Sequence, residues 1–141
     1  MKKSFYILGH LSDENVEWIA VNGVHRIASK GETIITVGVP SESIFFLLDG
    51  EMSVTVSEIG EIARLKNVDI IGEMSLVDPS SMPSATVTAT TESVLLEISK
   101  ALILEKMAID VGFAANFYHA IAIFLSDRLR ALYLASASKK S

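Results

Sequence analysis

The sequence predicts a mainly β domain with flanking α-helices, an antiparallel barrel or sandwich preceded by one helix and followed by a long one. Between His25 and Ile98, short apolar runs alternate with turn residues at close intervals, which argues for antiparallel strands rather than repeating β-α-β units. Toward the two ends, cap residues stand ahead of helical stretches instead: Ser12 near the start, Ser99 and Asp110 near the finish. The strand region therefore covers about 24–98 and the C-terminal helices about 99–135, all within a single domain over 1–141.

Ser12 caps a first helix with Asp13 and Glu14 in its opening turn and Asn22-Gly23 at its end. Val16, Ile19 and Ala20 form its apolar face, and Trp18, with no aromatic or interleaved basic residue beside it, reads as a packing residue. Lys30-Gly31-Glu32 turns into a strand from Thr33 to Val37, and Gly38, Pro40 and Ser41 make a loop. Ile44 to Leu48, Asp49-Gly50 and Glu51 to Val56 read as a hairpin, because Asp-Gly tolerates the positive φ angles of a two-residue turn. Ser57 to Gly60 turns again into Glu61 to Leu65. Ala85 to Ala89 and Ser93 to Ile98 are two further strands joined by Thr90, Thr91 and Glu92. Ser99 caps a short helix through Met107, and Asp110 caps the longest helix, reaching about Leu134. Arg128 and Arg130 sit near its predicted C-terminus, where the helix dipole favours cations.

Composition excludes several classes of function. The chain has 141 residues, half of them hydrophobic, enough for one buried core. Seventeen acidic residues against twelve basic give a net charge of −5, and without a basic stripe this disfavours nucleic acid as a partner. The absence of cysteine removes disulfides, thiolate nucleophiles and cysteine-ligated zinc, and fits a cytoplasmic protein. The apolar start after Met1, Lys2 and Lys3 ends at Gly9-His10, too short to export the chain. The run Ala120 to Leu125 falls far below the roughly 18 residues of a spanning helix, so no membrane association is expected. His10, His25 and His119 fall on three separate elements without metal-ligand spacing, and Ser75 and Ser84 have no histidine nearby in sequence. No catalytic or metal site is expected, and the chain reads as a non-enzyme.

The stretch 70–89, IIGEMSLVDPSSMPSATVTA, carries the densest local information. Gly72 allows backbone to approach a ligand, and Glu73 is either an acceptor for ligand hydroxyls or a cap for the turn that follows. The amides from Met74 and Ser75 onward form a helix N-terminus suited to an anion. After the Pro/Ser loop, Ser84, Ala85 and Thr86 offer hydroxyl and N–H groups to the same spot.

This stretch resembles the phosphate-binding cassette of the cyclic nucleotide-binding domain family, Gly-Glu-x-x-Leu, a variable loop, then Pro-Arg-x-Ala-Thr. Gly72, Glu73, Leu76, Ala85 and Thr86 match, whereas Met82 stands at the proline position and Pro83 at the arginine. The family's preceding Gly-Asp-x-Phe-Gly-Glu reads here as Val68, Asp69, Ile70, Ile71, Gly72 and Glu73. The resemblance implies an antiparallel β-roll, a double-stranded β-helix barrel, covering nearly the whole chain. It also implies that Glu73 binds a ribose 2′-hydroxyl, while the cassette amides and Ser84 bind a cyclic phosphate. The implied ligand is a cyclic nucleotide, cyclic AMP or cyclic GMP, or another small anion or sugar, held weakly or in an altered way because Pro83 brings no charge. Arg64 and Lys66 are the candidate substitutes for the missing cation. Many members pass the signal to a helix-turn-helix after the long helix, for which Ala135 to Ser141 leaves no room in this sequence.

In the last helix Phe113, Phe117, Ala120 and Phe124 form one apolar seam and Ala114, Tyr118, Ile121, Leu125 and Leu132 a second. The first suits the barrel, and the second suits a homodimer or an effector protein. The functional expectation is a regulatory sensor; the alternative is a ligand-free protein-interaction module on the same fold.

Overall fold

Strand β3 (Ser43–Asp49), with sequence SIFFLLD, is apolar on both faces, and the molecule is layered around it. In the structure, a computed structural model describing residues 8–66 and 70–140, β3 sits inside a four-stranded antiparallel sheet. This sheet runs β1 (Val24–Ala28), β8 (Ser93–Ser99), β3, β6 (Ile70–Ile71). A second antiparallel sheet runs β2 (Thr33–Ile35), β7 (Thr86–Ala89), β4 (Met52–Val56), β5 (Gly60–Leu65). The chain alternates between the sheets at nearly every connection, which is the winding of a β-roll.

Period-two alternation in β3 and β8 divides the interior into two cores. Phe45, Leu47 and Leu95 point between the sheets, where they meet Met52, Leu65 and Val87. Ile44, Phe46, Leu96 and Ile98 point the other way, onto the helices.

Those helices are α1 (Asp13–Asn22), α3 (Lys100–Ile109) and α4 (Val111–Lys140), and their starts are capped as the sequence predicts. Ser12 Oγ accepts from Asn15 N at 3.2 Å, Ser99 Oγ from Leu102 N at 3.4 Å and Asp110 Oδ1 from Phe113 N at 2.9 Å. Phe113, Phe117, Ala120 and Phe124 are buried against the roll, each phenylalanine stabilising the docking by about 1.5–3 kcal/mol. Trp18 packs edge-on to Phe113 with ring centroids 5.1 Å apart. Asn116, polar within this apolar run, clamps the chain start: its Oδ1 accepts from Ser12 N and Asn15 Nδ2, and its Nδ2 donates to His10 O.

Several expectations are corrected. Asp49-Gly50 is no hairpin turn, since β3 and β4 lie in different sheets; it is a corner, and the hairpin is β4–β5 around 57–59. Gly50 is still required there, with φ +110° and Ser93 Cα only 2.8 Å from where a Cβ would stand. β2 stops at Ile35, and Ala20 is exposed while α1 packs through Val16, Trp18 and Ile19. Ile121 is 1% exposed and belongs to the core, so the second seam does not contain it. α4 runs on to Lys140, so Arg128 and Arg130 lie too far from its end to feel the dipole. The apolar start before Leu8 lies outside the described residues.

Two measurements test this architecture. Gly50→Ala combines a strained backbone with overpacking on Ser93 and should cost about 2 kcal/mol or more in chemical denaturation. Asp110 is held below the usual carboxylate range, first by the Phe113 N–H and then by Lys106. A lowered folded value means that its stabilisation is complete above the ordinary aspartate range and disappears as pH falls through the folded value. Asp110→Ala should therefore melt a few degrees lower near neutral pH, with the gap to the parent narrowing as pH falls below the ordinary aspartate range.

Candidate functional site

The cassette starts where β6 ends. Ile70 and Ile71 pair with Phe46 and Phe45 of β3, and Gly72 then turns the chain with φ +87°. An added Cβ at Gly72 would find ordinary room, 3.4 Å from Ser43 O, so the backbone angle is what demands glycine. The approach through Val68 and Asp69 lies outside the described residues.

Glu73 adopts helical angles and opens α2 (Met74–Val77) without capping it, which sets aside the cap reading of its side chain. Its carboxylate belongs to a residue only 8% exposed that lines a cavity. The expected helix N-terminus is a single short turn: α2 has four residues, and Leu76 N and Val77 N already donate to Glu73 O. That leaves a ligand at most the first two amides. Leu76 anchors the turn in the helix-side core, and Lys100 Nζ of α3 donates to Ser75 Oγ at 2.6 Å. Ser75 Oγ in turn donates to Gly72 O at 3.3 Å.

Beyond the turn the chain folds on itself. Asp78 accepts from the hydroxyl and amide of Ser80, which hold its carboxyl below the usual range. Pro83 O accepts from Gly38 N at 2.9 Å, and Thr86 Oγ1 accepts from Val37 N at 3.1 Å, which binds the returning segment to the loop after β2.

These elements enclose a cavity of about 270 Å³. Gly72, Glu73, Met74, Ser75, Pro83, Ser84 and Ala85, all read from sequence, line it together. Thr86 does not; its hydroxyl serves the 37–38 loop instead. Arg64 and Lys66 do not line it either. Ala63 and Leu65 do, while Arg64 between them is bound outside by Glu61 at 2.8 Å and Glu51 at 2.6 Å, which raise its pKa. The walls are mostly apolar, and among the described lining residues Glu73 and Arg128 are the charged ones.

Arg128 was missed by sequence reasoning, as were Phe124 and Leu125, all brought to the cavity by α4. One signal could have found Arg128. It lies four residues beyond Phe124 on the face that buries Phe113, Phe117 and Ile121.

Residues 25–110, more than half of the chain, match the family model described as the cyclic nucleotide-binding domain. The chain belongs to that family. A curated relative, the Pycsar effector protein PaPycTIR of Pseudomonas aeruginosa, is 33% identical over 83 residues, covering 59% of this chain and 27% of its own length. Among solved structures, a cyclic nucleotide-binding domain from Methylobacillus flagellatus superposes with a TM-score of 0.80 at 24% identity, over 91% of this chain and 74% of that one. The catabolite activator protein of Thermus thermophilus gives 0.73 at 22% identity, over 95% and 62%. These structural likenesses establish the shared fold. The chain thus spans about a quarter of the effector and under two thirds of the activator.

Proposed function

We propose that this domain is a regulatory sensor of a cyclic nucleotide whose binding is altered, and weak for cyclic AMP, because its cassette carries no cation. The observation that carries the reading is the cavity itself. Gly72 to Ser75 and Pro83 to Ala85 converge on it with Glu73 buried in its wall, while Pro83 offers neither charge nor N–H. Losing two charge-assisted hydrogen bonds of ~1.5–3 kcal/mol each costs on the order of 3–6 kcal/mol, or roughly two to four decades of affinity. The domain is a binding module rather than an enzyme, acts in the cytoplasm and has no nucleic-acid partner. Among the described residues no helix is long and apolar enough to cross a membrane.

Calorimetric titration with cyclic AMP and cyclic GMP tests this. The parent should bind cyclic AMP weakly and Pro83→Arg at least tenfold more tightly. Tight binding by the parent, unimproved in Pro83→Arg, would contradict the proposal. No binding by either chain would favour the second reading, a ligand-free interaction module.

That reading draws on the exposed face of α4. Tyr118, Leu129 and Leu132 are 42%, 51% and 57% exposed, and with Ala122 and the half-buried Leu125 they repeat at steps of four and three. This is the spacing of a two-helix seam. It replaces the seam drawn through Ile121 and supports a homodimer through α4, which would present the output to an effector protein. Light scattering at micromolar concentration should give a dimer, and Leu129→Glu with Leu132→Glu a folded monomer. A monomeric parent would refute the seam.

A further inference from the structure

We propose that Arg128, carried by α4, is the cation that meets the phosphate of the nucleotide in this cavity, in the role that residue 83 does not fill. The inference rests on the sensor reading above and assigns its ligand-neutralising residue and the charge of the ligand. Arg128 is the basic residue among those lining the cavity. Its guanidinium carbon lies 5.3 Å from the ring centroid of Phe124, itself 4% exposed and a neighbour in the same wall. Stacking on that ring holds the planar fork at the cavity, so little freedom is lost when it engages an anion. The other nearby cations are placed differently. Arg64 is bound by Glu51 and Glu61 outside the cavity, and Lys100 reaches only as far as the Ser75 hydroxyl.

The charges on the walls define the ligand. Glu73 and Arg128 are one acid and one base in a mostly apolar cavity. A ligand presenting hydroxyls to Glu73 and a single negative charge to Arg128 complements one acid and one base of the wall. A 3′,5′-cyclic nucleoside monophosphate has both features in one ribose ring. A nucleoside triphosphate brings several more negative charges than one guanidinium can meet, against a buried carboxylate.

The test is calorimetry with the four common 3′,5′-cyclic nucleoside monophosphates and ATP on the parent, Arg128→Gln, Arg128→Lys, Arg64→Ala, Pro83→Arg and Pro83→Arg with Arg128→Gln. At least one cyclic nucleotide should bind the parent, and ATP should bind at least tenfold more weakly. Arg128→Gln should lose tenfold or more with a flatter dependence on salt, Arg128→Lys should lose less, and Arg64→Ala should match the parent. Restoring charge at 83 in the double variant should recover binding, a rescue that a merely structural role for Arg128 would not show. If a cyclic nucleotide binds the parent and Arg128→Gln equally, the assignment is overturned and the sensor reading stands. If only Pro83→Arg binds, the cradle is competent and Arg128 is again overturned. If neither the parent nor Pro83→Arg binds any of the four, the sensor reading itself fails and the assignment falls with it.

Discussion

Strand β3 buries both of its faces, and most of the molecule follows from that constraint. A strand with Phe45 and Leu47 on one side and Ile44 and Phe46 on the other needs a second sheet on one face and helices on the other. β8 satisfies the same demand beside it, with Leu95 turned one way and Leu96 and Ile98 the other. The short strand β6 then pairs with β3 on its remaining edge, and the cassette leaves from the end of that strand. The position of Glu73 is thus a consequence of how β3 packs.

The cassette joins the two cores. Ile71 enters the inter-sheet core and Leu76, five residues later, the helix-side core, so the turn between them cannot shift without disturbing both. The Lys100–Ser75–Gly72 chain of hydrogen bonds adds a polar link from α3 to the same turn. Against this rigid side stands a looser one. Met74 and Met82 are more than half exposed and both line the cavity, and flexible thioethers of this kind adapt to ligand shape more readily than to ligand charge. In the proposed sensor, charge selectivity would fall to the few polar groups, Glu73 and Arg128 foremost.

The parts legible in the sequence were those governed by short-range rules. Ser12, Ser99 and Asp110 cap their helices because capping depends on three or four consecutive residues. Gly72, Glu73 and the residues around Ser84 could be grouped at one cavity because they belong to a contiguous motif. The misread features depend on distant chain. Asp49-Gly50 has the chemistry of a hairpin turn, yet the neighbours of β3 are β6 and β8, which no local pattern reveals. Alternation along β5 could not say which face was inward until Ala63 and Leu65 met β4 and the cavity, leaving Arg64 outside with Glu51. Ile121 belongs to the core and Leu129 to the exposed face for a similar reason. Periodicity finds two stripes on α4, but only docking decides where one gives way to the other.

The source of the cation has a thermodynamic consequence. A cation on the cassette would hold an anion to the roll alone, whatever the long helix was doing. One on α4, as proposed for Arg128, would make the affinity for the anion depend on how often that helix is docked at the cavity. Leu125 would extend the dependence, since it lines the cavity and, half-buried, stands beside the exposed Tyr118, Leu129 and Leu132 of the proposed seam. A partner helix on that seam would press on a residue that lines the cavity. Coupling of this kind is reciprocal: whatever the partner does to ligand affinity, the ligand must do to partner affinity by the same factor. The relocation of one charge from a loop to a helix would thereby turn a change in binding strength into a route for output.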